Sequence, residues 1–176
     1  MLVVAATERE LAHLRGADAV VCGIGPVEAG LQTARALAER CPDAVLHVGI
    51  AGARGIAPPA LVIGSEAVYC DLLDPASRLP RIERVEADAE LLGRVRLALP
   101  EALVLPIATS ARVSGGSSFQ VEAMEGFGVL RACALAGVPA VELRAISNLP
   151  EEPDRRRWQI DEALEALAAA VERVLG

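Results

Sequence analysis

The segment VELRAISN carries the first chemical signal in the sequence. It reads as a buried strand, yet Glu142, Arg144 and Asn148 fall on alternate positions and so on one face. Three polar side chains aimed one way into an interior cost free energy unless they pair or serve a site. A second signal is Thr7-Glu8-Arg9-Glu10, at the exit of the first apolar run. Its spacing fits a capping box, the favoured meaning, in which Glu10 folds back on the backbone. The alternative makes Glu10 a general base that takes a proton from a nucleophile. A third is VEAMEG, where Glu122 and Glu125 stand three apart and are expected on one helix face. Acids there usually answer the helix dipole. Beside a glycine-rich loop, such a carboxylate can also accept two hydroxyl hydrogen bonds. Met124 between them is the usual core filler.

Two glycine segments follow strand-like runs. GIGPVEAG has Glu28 where a dinucleotide fingerprint needs its third glycine, so it reads equally well as a tight turn into a helix with Pro26 at the first position. HVGIAGARG lets backbone N–H groups approach a ligand closely at Gly49, Ile50, Ala51 and Gly52.

Alternating short and long apolar patterns position these residues. Strands are expected over 2–6, 19–22, 44–48, 61–69, 102–107 and 140–146, and helices over 8–15, 27–40, 87–99, 121–136 and 156–175. Residues 72–84 read as a loop or edge hairpin. The order implies an α/β fold, a three-layer α/β/α sandwich on a mixed, mostly parallel sheet, in a single domain over 1–176. In such sheets sites form beyond the carboxyl ends of strands. That rule selects 7–10, 23–25, 49–52, 110–119 and 147–148.

Composition removes whole classes of chemistry. All 17 basic residues are arginine, which excludes a lysine Schiff base and a phosphate-loop NTPase. The net charge of −7 opposes a nucleic-acid groove, and the triplet Arg155–Arg157 reads as a solvated loop before a helix. Two histidines, His13 and His47, give a zinc hydrolase or a catalytic triad little to work with. Cys22, Cys41, Cys70 and Cys133 lack metal-ligand spacing and read as reduced core residues. The start MLVVAATERE has neither the basic nor the long apolar region of a signal peptide, and no apolar run spans a bilayer, so a cytoplasmic protein without a membrane partner is expected.

The ordered set TERE, GIGPVEAG, GIAGA, VEAMEG and RAISN followed by DRRRW resembles the purine nucleoside phosphorylase and nucleosidase superfamily. Within it the chain is more similar to futalosine hydrolases than to methylthioadenosine/S-adenosylhomocysteine nucleosidases. The resemblance implies hydrolysis of an N-glycosidic bond without metal or cofactor, in a homodimer or higher homo-oligomer. It makes Glu10 the base that activates water and has Glu125 hold the ribose hydroxyls, with Met124 against the sugar. Gly49 to Gly52 would line the pocket, Arg144 would support the acids, and Asn148 would face the leaving purine. Adenine-cleaving relatives place an aspartic acid at position 148. An asparagine NH2 there can donate to both O6 and N7 of a 6-oxopurine, and a mismatched buried polar group costs about 1–3 kcal/mol. Phe119 is expected either to stack on the purine or to be core. The stretch GGSSFQV is shorter than in most relatives, and Ala123 stands where asparagine is usual. Three rivals stay open: an adenine-type nucleosidase, a phosphorylase with Arg54 as its one candidate phosphate donor, and a non-catalytic nucleoside-binding module.

Overall fold

A computed structural model describes residues 1–14, 16–72, 76, 78–113 and 116–176. In chain order the elements are β1 (Leu2–Ala5), α1 (Glu8–Leu11), β2 (Ala19–Val21), α2 (Pro26–Arg40), β3 (Val45–Ala53), β4 (Leu61–Tyr69), β5 (Arg84–Glu86), α3 (Ala89–Ala98), β6 (Leu103–Thr109), β7 (Val121–Ala123), α4 (Gly126–Ala136), β8 (Ala140–Asn148) and α5 (Ile160–Leu175). A 3-10 turn at Arg155–Arg157 precedes α5.

Among the described residues, eight strands form one mixed sheet. The pairs β1–β2, β1–β3, β3–β8, β4–β6 and β6–β7 are parallel, whereas β3–β7, β4–β5 and β4–β8 are antiparallel. The mixed, mostly parallel α/β sandwich expected from the sequence is therefore present. The pairings also close a ring, β3–β8–β4–β6–β7 and back to β3. This ring is filled by Ala51, Val62, Ile107, Val121 and Ile146.

Strand alternation builds the two outer layers. Val3, Ala5, Leu46 and Val48 face α3 and α5, which contribute Leu91, Val95, Ala163 and Leu167. Leu2, Val4 and Val45 face α2 and α4 through Ala29, Leu37, Val129 and Leu130. Gly25 precedes α2 with φ 89, a left-handed conformation that favours glycine, and Pro26 opens the helix as expected.

Several local expectations are corrected. Residues 121–123, expected as the start of a helix, form β7, because the edges of β3 and β6 offer backbone partners that a helix would forgo. Glu122 and Glu125 therefore share no helix face: Glu122 sits in a strand and Glu125 is the residue before α4. α1 ends at Leu11, and Arg15 lies outside the described residues. Within 72–84, residues 73–75 and 77 are likewise outside, and β5 pairs at the edge of β4. Cys22 and Cys133 are buried, but Cys41 is exposed at the end of α2 and Cys70 is half-buried, so only two thiols belong to the core.

Candidate active site

A cavity of about 330 Å³ opens beyond the carboxyl ends of the strands. All five segments selected by the strand-exit rule contribute to it: Thr7 and Glu10, Ile24, Ile50 to Gly52, Arg112 and Val113, and Ser147 with Asn148. Glu122, Ala123, Met124 and Glu125 line it as well.

Glu10 is held at both carboxylate oxygens. Thr7 caps α1, and its backbone N–H and hydroxyl donate to Glu10 Oε2 at 3.0 and 2.9 Å. The Ile50 N–H donates to Oε1 at 3.2 Å. The capping box and the cavity position are thus compatible, because the cap is what fixes the carboxylate at the rim of β3. Gly49 leaves room for this contact. A Cβ at that position would lie 2.1 Å from Arg144 Nη1 and 2.6 Å from Glu10 Oε1.

Behind Glu10 lies a buried ionic cluster. Arg144 is fully buried; its Nε donates to Glu142 Oε1 at 2.7 Å and its Nη2 lies 3.5 Å from Glu125 Oε2. Its Nη2 also approaches His47 Nε2 at 2.5 Å, while His47 Nδ1 contacts the Val4 carbonyl at 2.9 Å. Arginine has no acceptor, so Nε2 accepts and Nδ1 carries the proton. Burial, reinforced by the Arg144 charge, holds His47 well below its usual pKa, which keeps it neutral. Burial by itself would lower Arg144, but Glu142, Glu125 and Glu10 together hold it above its usual value. The cost of removing this guanidinium from water is met only because carboxylates surround it.

Glu125 is nearly buried, and its Oε1 accepts from the Gly25 N–H at 3.1 Å, between the starts of α4 and α2. Burial pushes its carboxyl up, against the pull of Arg144. Glu142 is raised for the same reason, and among the described residues its Oε2 has no hydrogen-bond partner. It fits only because Gly126 has no side chain, since a Cβ there would meet the carboxylate at 2.1 Å.

Asn148 reaches the cavity differently from expectation. Gly49 pairs with Arg144 but Gly52 pairs with Asn148, so β8 holds one extra residue between them. That irregularity turns Asn148 to the sheet face opposite Glu142 and Arg144. The three polar residues therefore do not share a face: two build the buried cluster and the third lines the cavity. Ser147 Oγ donates to Asn148 Oδ1 at 2.7 Å, and Asn148 Nδ2 donates to the Leu149 carbonyl at 2.9 Å. One amide proton, not two, is left over in this arrangement.

Met124 lines the cavity beside Glu125. Phe119 does not: its ring lies 5.8 Å from the Arg84 guanidinium, and its carbonyl accepts from Arg54. Glu122 is committed to structure, accepting from Ser117 N–H and Oγ at 3.0 and 2.8 Å and pairing with Arg54 at 2.8 Å. Ser114 and Gly115, the start of the shortened stretch, lie outside the described residues.

Sequence reasoning missed much of the outer wall: Pro150, Arg155, Trp158, Ile160 and Leu164. One signal for it was present. Trp158 is the single tryptophan in a chain with 2% aromatics, directly after three arginines.

The family model described as "Phosphorylase superfamily" matches residues 13–176. The chain belongs to the phosphorylase superfamily. Among curated members, the futalosine hydrolase of Streptomyces coelicolor is 36% identical over 89% of this chain and 77% of its own length. The 5′-methylthioadenosine/S-adenosylhomocysteine nucleosidase of Shewanella putrefaciens is 28% identical over 77% of this chain and 70% of its own length. A solved futalosine hydrolase mutant of Helicobacter pylori superposes with a TM-score of 0.88 at 18% identity, covering 99% of this chain and 97% of that one, and so shares the fold. A shared fold does not fix the chemistry, which has to be argued from the residues of the cavity.

Proposed function

We propose that this chain hydrolyses the N-glycosidic bond of a 6-oxopurine nucleoside, with futalosine as substrate and hypoxanthine as the released base. One observation carries the assignment: Glu10 and Asn148, 138 positions apart, line one cavity with Glu125 and Met124. Glu10, oriented by Thr7 and Ile50, takes a proton from a water molecule as its oxygen attacks the anomeric carbon. Glu125 accepts from the ribose hydroxyls, with Met124 against the sugar. Asn148 donates to the departing purine as the carbon–nitrogen bond breaks through an oxocarbenium-like sugar. A base with two acceptors draws both amide protons, replacing the Leu149 contact by rotation about a soft terminal torsion. Ser147 occupies the Asn148 oxygen, so the NH2 is left to meet the base, and this suits an oxopurine better than an aminopurine.

Water is favoured over phosphate as nucleophile. Arg54, the candidate phosphate donor by the second glycine loop, already contacts Glu122 at 2.8 Å and Glu151 at 2.6 Å. The reading includes a step of menaquinone synthesis, a cytoplasmic location and a homodimer. Among the described residues, no helix is long and apolar enough to cross a membrane.

The test is chromatographic detection of hypoxanthine from futalosine in phosphate-free buffer. Release is expected, and Glu10→Gln should lower kcat by about 10²–10⁴-fold. Glutamine still serves a capping box, so the folded state should be retained. Failure to release hypoxanthine, or faster release of adenine from 5′-methylthioadenosine, would overturn the assignment.

A further inference from the structure

Arg54 follows β3 directly, and each nitrogen of its guanidinium is engaged by protein. Nε donates to Glu151 Oε1 at 2.6 Å, Nη2 to Glu122 Oε1 at 2.8 Å, and Nη1 to the Phe119 carbonyl. Its backbone N–H donates to the Gln120 carbonyl at 2.8 Å. One planar fork thus joins two segments that are far apart in sequence, 119–122 and the chain after β8. Arg54 does not line the cavity itself, but both segments reach it, through Glu122 and through Asn148 and Pro150.

The two ends of this bridge differ in firmness. Glu122 is an anchor. Beyond Arg54 and Ser117 it accepts from the Gly116 N–H at 3.0 Å, and it pairs with Gly52 in the sheet. Burial pushes its carboxyl up, but the Ser117, Arg54 and Gly116 donors outweigh burial and hold it below its ordinary value. It therefore meets Arg54 as a carboxylate. Glu151, by contrast, is exposed and belongs to a turn. The Glu152 N–H closes that turn on the Leu149 carbonyl at 3.0 Å, and the same carbonyl accepts from Asn148 Nδ2 at 2.9 Å. Fit against β3 is close here, since a Cβ on Gly52 would lie 3.1 Å from both Asn148 Nδ2 and Pro150 Cγ.

We infer that Arg54 is a positioning residue for Asn148: anchored on Glu122 and the Phe119 carbonyl, it holds through Glu151 the turn whose Leu149 carbonyl orients the amide. Without the bridge, the turn after β8 keeps its own hydrogen bonds but loses its tie to β3 and β7. Asn148 then moves with it. A displacement of about 1 Å made away from the reacting atoms can cost on the order of 10²-fold in rate. The inference rests on the N-glycosidase reading and adds to it a residue that touches neither base nor sugar.

The experiment is a double-variant cycle read by hypoxanthine release from futalosine in phosphate-free buffer. It compares wild type, Arg54→Ala, Arg54→Lys, Glu151→Ala, Asn148→Ala and Arg54→Ala/Asn148→Ala, each at a temperature where urea unfolding shows it folded. Arg54→Ala should lower kcat about tenfold and move KM much less, because the loss falls on the departing base and not on ground-state binding. With Asn148→Ala already present, the same substitution should change kcat by less than about twofold, since the group it positions is gone. Arg54→Lys should stay close to Arg54→Ala, because an ammonium keeps the charge and lacks the fork. Glu151→Ala, at the exposed end of the bridge, should give a smaller kcat loss of the same kind and decides the matter if Arg54→Ala does not fold. An equal kcat loss with and without Asn148, a raised KM at unchanged kcat, or full rescue by lysine would overturn the proposal. If wild type releases no base, the N-glycosidase reading falls. Calorimetric binding of hypoxanthine to the same variants then decides this proposal separately. Affinity that drops in Arg54→Ala, with no further drop from Asn148→Ala to the double variant, supports it. Equal drops in both backgrounds, no drop, or no binding to wild type sinks it.

Discussion

Glu125 stands between a helix start, a buried guanidinium and the cavity, and its protonation is set by which of these prevails. Its carboxyl is raised above the ordinary value of 4.5, with burial the largest cause. A raised carboxyl means the folded state holds more protons than the unfolded state between the two pKa values. Its favourable contribution to stability is complete below the ordinary value and is lost as pH rises through the folded one. Glu125→Gln removes that loss. Urea unfolding should therefore show the variant gaining on the parent as pH rises from 4.5, by up to about 1.4 kcal/mol per pH unit. A variant that instead falls behind with rising pH would show that attraction to Arg144 outweighs burial. The same balance explains why Glu142, Glu125 and Arg144 are packed as a group. Removing one member of such a cluster leaves a buried charge unanswered, which is costlier than never having built it.

At the scale of elements, the contact between Gly25 and Glu125 sits where α2 and α4 start, and these helices pack closely. Their crossing is made by glycines: a Cβ on Gly128 would lie 2.2 Å from the Pro26 carbonyl oxygen and 3.1 Å from the Gly30 nitrogen. Both atoms are backbone, so they cannot step aside as a side chain would. Gly128→Ala should push α4 off α2, lower stability by about 1–3 kcal/mol and displace Glu125 from the Gly25 N–H. Gly93 in α3 provides the control, since among the described residues a Cβ there meets nothing within 4 Å. Gly93→Ala should stabilise by roughly 0.5–1 kcal/mol, because alanine favours a helix where no contact opposes it. Thermal or urea unfolding of the two variants gives opposite signs if packing, and not propensity, governs α4.

At the scale of the whole molecule, one apolar stripe lies on the outside. Ile24, Val27 and Leu31 are 64%, 71% and 65% exposed, and Ile24 also lines the cavity. A stripe continuous with the cavity suits a second copy of the chain, in line with the proposed homodimer. Val27→Asp with Leu31→Asp should shift sedimentation toward the monomer and raise KM for the nucleoside if the partner borders the cavity. A parent chain that sediments as a monomer at all concentrations would remove this part of the proposal.

Legibility from sequence follows the range of the forces involved. Alternating apolar residues and strand-exit glycines are local consequences of burying a face, so the layers, the five cavity segments and the capping box at Thr7 could be read directly. Glu10 lay in one of those segments, whereas Met124, Glu125 and Arg144 were attached to the site by the family resemblance and not by local pattern. Three features could not be read this way. The helical composition of residues 121–123 gave way to β7, because the edges of β3 and β6 supply hydrogen bonds that only the closed ring brings together. Asn148 left the face of Arg144 through one extra residue in β8, and a strict period of two cannot register such an insertion. Arg155 and Trp158 entered the cavity because the chain folds back between β8 and α5 over the strand ends, a contact that no local pattern encodes. Periodicity records which side of an element is buried; which distant side chains meet there is decided by register and by the path of the connecting chain.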